Sequence, residues 1–540
     1  MGTNNFFRPR ALLAELVSPV RTRLETESPS ISAFWLLLVL VVSVLLTAPF
    51  IITFRWWDEG IFLLGAERLL HGDRLYADFF EFLPPGSFLI TAGWLALVGT
   101  SLWSVRCLAI LVIVGVSCLI YLTCRSVLKN AAASALFALA WLVFSLYQEE
   151  GSLVQISHHW FTTLFSMISA RAAIARTERE QRLLRGPLVA GLAAGAAAMV
   201  TPTQGVAAAF AAATAYLNVR RYRAETAIFV LGCTIVPIGM LGYVLAHGTL
   251  IDAYQDVIVF PATRYLAVND VRYAPDGIRS NIVLAGLFPL ATLLTIATLV
   301  ATWRTCYRDR KFYVCIAFGL AGWVGVATRP DFFHIIWSAP LLCPLIAYCA
   351  RSLMQTWRPS YRYMPVVAVV LLCIPSAYQL EQALRRALRA QVVETPRGEV
   401  TYQSYAATAN QHKIVTWLTA ASAQDKFFFY PDLQMLPFLV RRTQVSRYDL
   451  FVPQYTTPAQ YQEACLDVMR QASWVVINRK WTENPIYWKE LGVHGPPPPE
   501  YGRFEKALDE GFEPVERFGV IEIRKRRQQT SEAACAGISP

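Results

Sequence analysis

Two adjacent carboxylates, Asp58 and Glu59, follow closely on a long apolar run, in the stretch Arg55-Trp56-Trp57-Asp58-Glu59-Gly60. A carboxylate at a membrane boundary is costly unless it is solvated or used. In use, such a group takes the proton of a hydroxyl as the oxygen attacks a carbon centre. If merely solvated, it forms an interfacial anchor with the neighbouring tryptophans. Four further polar groups stand at the ends of apolar runs. They are Ser157-His158-His159-Trp160, Thr201-Pro202-Thr203-Gln204-Gly205, the loop 247–280 with Arg264, Tyr265 and Arg272, and Thr328-Arg329-Pro330-Asp331-Phe332-Phe333-His334. The guanidinium fork of Arg329 suits a phosphate. A helix beginning at Pro330 would aim its N-terminal dipole at the same anion. Adjacent side chains on a helix point about 100° apart, so His158 and His159 are not expected to share one metal. Each group also has a plainer reading: structural histidines, the turn of a helical hairpin at Thr201–Gly205, and a capped helix with an interfacial Arg329.

The elements that must hold these residues are membrane spans. Of the 540 residues, 55% are hydrophobic and 16% charged, against about 25% charged in soluble domains. Residues 33–54 carry no ionisable side chain, long enough to cross about 30 Å of hydrocarbon at about 1.5 Å per residue. Similar runs follow at 104–124, 130–146, 157–175, 187–201, 204–218, 226–246, 281–302, 312–327, 333–350 and 364–380. The run 84–101 is short and opens Pro84-Pro85-Gly86.

If 84–101 does not cross and the N-terminus is cytoplasmic, the inner segments hold 21 Lys and Arg and the outer ones 8. That is the bias the positive-inside rule requires. If it crosses, the later loops change sides, so the expected count is eleven or twelve spans. The +11 charge lies in short inter-span loops and does not call for nucleic acid. The eleven cysteines sit mostly inside apolar runs and suggest no framework or metal cluster.

The expected architecture is a polytopic α-helical membrane protein with a C-terminal soluble α/β domain. A cytoplasmic segment spans 1–32 and the transmembrane domain 33–380, with a functional outer loop at 55–86. An extracytoplasmic α/β domain spans 381–527, and a disordered tail 528–540. In that domain 381–392 and 457–472 read as helices, and 426–430, 474–478 and 520–524 as buried strands. Localisation is expected in a bacterial-type inner or plasma membrane.

Taken in chain order, these elements resemble the GT-C glycosyltransferases that use polyprenyl-phosphate sugars, whose relatives include protein O-mannosyltransferases and the lipid A aminoarabinose transferase. Members carry an Asp-Glu pair directly after the first span, then an interfacial helix, a Tyr-x-Asp element and a Pro-Pro turn. Here these are Asp58-Glu59, residues 58–71, Tyr76-Ala77-Asp78 and Pro84-Pro85, and the resemblance covers about 33–350. It implies that Asp58 is the catalytic base, that Glu59 helps place the acceptor and that Asp78 shapes the site, unless Asp78 is only a turn residue. It also implies a donor-phosphate site at Arg329, Arg264 and His334, in a pocket with His158, His159, Gln204, Tyr265 and Asp331. The partners would be a polyprenyl-phosphate-linked sugar, a hydroxyl-bearing glycan, lipid or protein acceptor, and membrane lipids. No cofactor is fixed, because family members differ on metal use. The alternatives are a non-enzymatic transporter or flippase of lipid-linked saccharides, and an envelope assembly scaffold.

Overall fold

The structure is a computed structural model. It describes residues 28–54, 58–146, 154–178, 184–216, 223–265, 273, 282–327, 329–356, 364–402, 405–483, 493 and 496–538. Most of the N-terminal segment, Arg55–Trp57 and Arg272 lie outside them.

A helix stands at each expected span. The first is Pro29–Thr47, capped by the Ser28 side chain, and the last is Met364–Arg389. By length and apolarity five described helices can cross a membrane: Pro29–Phe50, Leu102–Leu128, Arg223–Ala246, Ala285–Cys306 and Arg310–Ala327. The pair Phe332–Leu341 and Cys343–Thr356, bent by 59°, makes a sixth if it is one span. Other helices at expected spans are shorter, such as Arg185–Ala198 with 14 residues and Pro202–Tyr216 with 15. The stretch 84–101 forms the helix Gly86–Val98, about 20 Å long at 1.5 Å per residue and too short to cross. Many outward side chains are apolar, including Leu45 at 65% exposure, Leu293 at 64% and Val300 at 81%. A surface of that kind is covered by lipid.

Small residues set how closely the helices approach. At Gly205 a Cβ would fall 2.1 Å from Ala198 N, so only glycine lets Pro202–Tyr216 fold back on Arg185–Ala198. The turn Thr201-Pro202 is a helical hairpin, and Thr162 donates to the Thr201 hydroxyl at 2.8 Å.

The last helix runs without a break to Arg389. The separate helix expected at 381–392 is therefore its end, and Gln391 already belongs to a strand. A hairpin follows, β1 (Gln391–Thr395) with β2 (Gly398–Tyr402). It docks on the end of the first span: Thr401 N donates to Ile52 O at 2.7 Å, and Phe54 N to Thr401 O at 2.9 Å.

Beyond it, β3 (Phe427–Tyr430), β4 (Trp474–Asn478), β5 (Phe512–Phe518) and β6 (Ile521–Arg526) form a sheet in the order β3-β4-β6-β5. Only β3 and β4 are parallel. A parallel pair needs a crossover, here the helix Pro458–Gln471, which starts with a capping box between Thr457 and Gln460. The tail expected to be disordered is packed on this helix through residue 538. A disulfide joins Cys465 to Cys535, and Arg470 binds Glu532 through two bonds of 2.8 and 2.9 Å. The spacing of two cysteines 70 residues apart gives no sign of this link.

Candidate active site

The interfacial helix Glu59–Leu70 begins directly after Asp58, whose side chain does not cap it. What fixes its position is Glu59, which is fully buried. One Glu59 carboxylate oxygen accepts from Arg106 Nη2 at 2.6 Å, the other from Ile156 N at 3.0 Å. Arg106, fully buried in the helix Leu102–Leu128, also donates to Thr53 O at 3.0 Å and Val154 O at 2.5 Å. The expected role of Glu59 in placing an acceptor is corrected accordingly: its carboxylate is spent on tying the interfacial helix to the spans. Removing one partner of a buried pair costs about 3–5 kcal/mol, because the other charge is left uncompensated. Arg106→Leu is therefore expected to lower thermal stability steeply, and Glu59→Leu with Arg106→Leu to recover much of the loss. Detergent-solubilised melting curves of the three variants test this.

Asp58 is exposed yet closely surrounded by protein, so it stands in a recess. The protein packed around it raises its pKa above the ordinary carboxylate value. Arg329 and His334 act against that rise, and Asp331 adds to it. These charges come from the outer end of the bent helix pair. Asp331 accepts from Arg329 Nε at 2.7 Å, and its other oxygen lies 2.7 Å from His334 Nδ1. Burial pushes the Asp331 carboxyl up, but His334 and Arg329 together bring it down to about 2.

The helix begins at Phe332 rather than Pro330, and Asp331 caps it by accepting from His334 N at 3.0 Å. The dipole expected to face a phosphate is thus already occupied by Asp331. The terminal nitrogens of Arg329 have no hydrogen-bond partner among the described residues, so the guanidinium's outer edge is available.

His159 joins this group, with its ring 4.5 Å from that of His334 and stacked on Trp337 at 4.2 Å. The rings of His158 and His159 are 3.8 Å apart, closer than the 100° rule predicts. Successive Cα atoms are themselves only about 3.8 Å apart, and His158 opens its helix. Gln204 is buried beside Gly325 and Ser338, and its Nε2 has no hydrogen-bond partner among the described residues. Among the described residues no three His, Cys, Asp or Glu side chains converge to hold a metal ion.

Two expected residues are not brought to Asp58. Asp78 turns onto Arg74, accepting from its backbone N at 2.7 Å and from its guanidinium at 3.0 Å through both oxygens. That bond to Arg74 lowers the Asp78 pKa, and Asp78 is a turn latch here. Arg264 is exposed on the short π-helical turn Pro261–Tyr265. Its neighbour Tyr265 does reach the recess: its ring meets Phe82 at 5.5 Å and Tyr455 at 6.1 Å.

Three residues at the recess carried no sequence signal. Glu81 is buried, and burial raises its pKa well above the usual range, followed by the charges of Asp449, Asp256 and Asp58. Tyr455 and Asp432 come from the C-terminal domain. Burial raises the Asp432 carboxyl to about 7, with Asp58 adding to the rise and Lys480 opposing it. A separate apolar groove, lined in part by Leu69, Leu89, Ala92 and Tyr243, lies at the far end of the interfacial helix. That is roughly 16 Å from Asp58 at 1.5 Å per residue, so it is not the reacting site.

Residues 83–241 match the family model of dolichyl-phosphate-mannose-protein mannosyltransferase. No curated protein sequence matches the chain significantly. Among solved structures, ArnT from Cupriavidus metallidurans bound to undecaprenyl phosphate superposes with a TM-score of 0.57 at 13% identity, over 92% of this chain and 99% of that one. The oligosaccharyltransferase AglB from Archaeoglobus fulgidus, in complex with an inhibitory peptide and a dolichol-phosphate, gives 0.52 at 11% identity, over 92% and 74%. The mycobacterial arabinofuranosyltransferase AftD gives 0.51 at 15% identity, over 94% of this chain but 40% of its own length. With nine-tenths or more of its length covered by these superpositions, the chain has the fold of the GT-C glycosyltransferases.

Proposed function

We propose that this protein is a membrane glycosyltransferase that moves a sugar from a polyprenyl-phosphate donor to a hydroxyl of a glycan, lipid or protein, outside the cytoplasm. The observation that carries the reading is the pairing of one exposed carboxylate, Asp58, with the Arg329–Asp331–His334 group in one recess. Asp58 takes the acceptor's proton while the acceptor oxygen attacks the anomeric carbon. The bond from that carbon to the phosphate oxygen breaks, and the electrons leave with the polyprenyl phosphate. Arg329 meets the phosphate's charge through its outer nitrogens. A single displacement inverts the anomeric centre. Asp331 holds the guanidinium by Nε, and His334 holds Asp331.

Bacterial-type plasma membrane, a cytoplasmic N-terminus and an external C-terminal domain belong to the same reading. The charge asymmetry of the loops supports them. So does the Cys465–Cys535 disulfide, since such bonds persist in oxidising compartments. A reporter fused at Glu463 is expected to score as external and one at Arg308 as cytoplasmic. The opposite pattern reverses the topology.

A transporter or flippase predicts internal repeats and interrupted helices carrying polar groups at mid-membrane; here Asp58, Arg329 and His334 gather at helix ends instead. Mass spectrometry of lipid-linked sugars and envelope glycans, in cells lacking the protein, tests the proposal. The expected result is accumulation of one polyprenyl-phosphate sugar and loss of that sugar from an envelope component. Unchanged glycans together with an unchanged lipid-linked pool reject it.

A further inference from the structure

Resting on that reading, we infer that the C-terminal domain builds the acceptor side of the recess, and that the acceptor is a polyol, a sugar ring whose second hydroxyl is held by Asp432 while Asp58 deprotonates the first.

The placement comes from backbone packing. Asp432 stands just past the carboxyl end of β3, the strand that runs parallel to β4. Its turn is tied down by Phe451 N donating to Pro431 O at 2.9 Å and by a bridge between Asp432 and Leu450. The same turn presses on the Asp58 loop. A Cβ at Gly60 would lie 2.4 Å from Met435 N and 2.7 Å from Gln434 C. The chain just after Asp58 thus runs against the chain just after Asp432.

The acids are not used up by the fold. The Asp432 carboxyl makes no hydrogen bond among the described residues, whereas nearby Gln434 is committed, donating to Asp449 O at 2.6 Å. Glu81 is an independent sign of a ligand. It is 5% exposed and makes no hydrogen bond or ion pair among the described residues, yet its charge acts on the Asp58 side of the recess. Buried carboxyls are normally hydrogen-bonded, and hydroxyl donors are what such acids lack here. The ring of Tyr455 lies 5.7 Å from Phe82 and 6.1 Å from Tyr265, so aromatic surface stands beside the acids. Carboxylates that accept from hydroxyls, with aromatic faces against C–H surface, are the chemistry that recognises a sugar ring.

Arg329 presents the outer nitrogens of its guanidinium to a phosphate, whereas burial pushes the Glu81 and Asp432 carboxyls up and favours their neutral form. Carboxyls held in that way suit a neutral polyol.

The test uses the full chain in nanodiscs, with polyprenyl-linked sugars and an envelope extract from cells lacking the protein as donor and acceptor. Asp432→Asn is expected to raise the apparent KM for the extract about ten- to hundredfold. Its kcat should stay within a few-fold, and its affinity for undecaprenyl phosphate should not change. Tyr455→Ala, which removes the aromatic face, should also raise the KM for the extract, and Tyr455→Phe, which keeps it, should not. Periodate, which cleaves vicinal diols, should abolish the extract's acceptor activity. An Asp432→Asn enzyme with wild-type acceptor KM overturns the inference and leaves the glycosyltransferase reading standing, and so does an extract that survives periodate. A wild-type chain that transfers no sugar overturns both.

Discussion

Asp58→Asn is expected to cut turnover by at least about 100-fold, the usual scale for a lost general base, in a protein that still folds. The fold does not depend on this carboxyl. It caps no helix, and the structural work at this corner is done by Glu59 through Arg106. Asparagine keeps the shape and removes the proton acceptor. The pH profile gives a second readout. The protein packed around Asp58 raises its pKa, and a base works only when deprotonated. Activity therefore falls as pH drops through that pKa, and the acid limb lies above the ordinary aspartate value of about 3.9. The residual activity of Asp58→Asn should lack that limb. Wild-type turnover in Asp58→Asn, measured with donor in excess, removes Asp58 from catalysis. A melting curve like that of Arg106→Leu would show instead that the residue is structural.

The contrast between Asp58 and Glu59 shows what a sequence can and cannot carry. Position alone singles out both: an acid pair directly after an apolar run has to be used or solvated. Their division of labour depends on Arg106, 47 residues away, and on the backbone of Ile156. No local pattern encodes either contact. The same limit hides Asp432 and Tyr455, which reach Asp58 only once β3 and the loop after it have docked on Gly60. Cys465 and Cys535 are invisible as a pair for the same reason.

Elements, by contrast, are local and were legible. Phe427–Tyr430 and Trp474–Asn478 are short apolar runs of aromatic or β-branched residues, Ile521–Arg526 sets two isoleucines among charged residues, and all three are strands. Thr457 and Gln460 spelled out the capping box that starts the crossover helix. Two features of the site are encoded locally as well. Asp331 stands three residues before His334, the spacing of an N-cap side chain and the backbone N–H it accepts from. That places the helix start after Asp331 and not at Pro330. Arg74 and Asp78, four apart, form an ion pair at 3.0 Å, and pairing of that kind is a reason to doubt a catalytic role for Asp78.

Arg329→Ala is expected to weaken use of the donor by one to two orders of magnitude. The structure revises the grounds for this. The helix N-terminus contributes nothing to an incoming phosphate, because Asp331 fills it. What remains is the guanidinium, held by Nε at 2.7 Å with its outer nitrogens unpaired among the described residues. Charge-assisted bonds contribute about 1.5–3 kcal/mol each, and about 1.4 kcal/mol is tenfold in affinity. One or two such bonds therefore give the stated range. Arg329→Lys should recover only part, since an ammonium can replace the charge but not the planar fork that bonds Asp331 and phosphate at once. Arg264→Ala should change little, because Arg264 is exposed and is not among the charges acting on Asp58. Transfer measured against donor concentration for the three variants separates these outcomes. If Arg329→Ala keeps wild-type donor affinity while Arg264→Ala loses it, the phosphate sits on the π-helical turn beside Tyr265, and the proposed direction of donor entry is reversed.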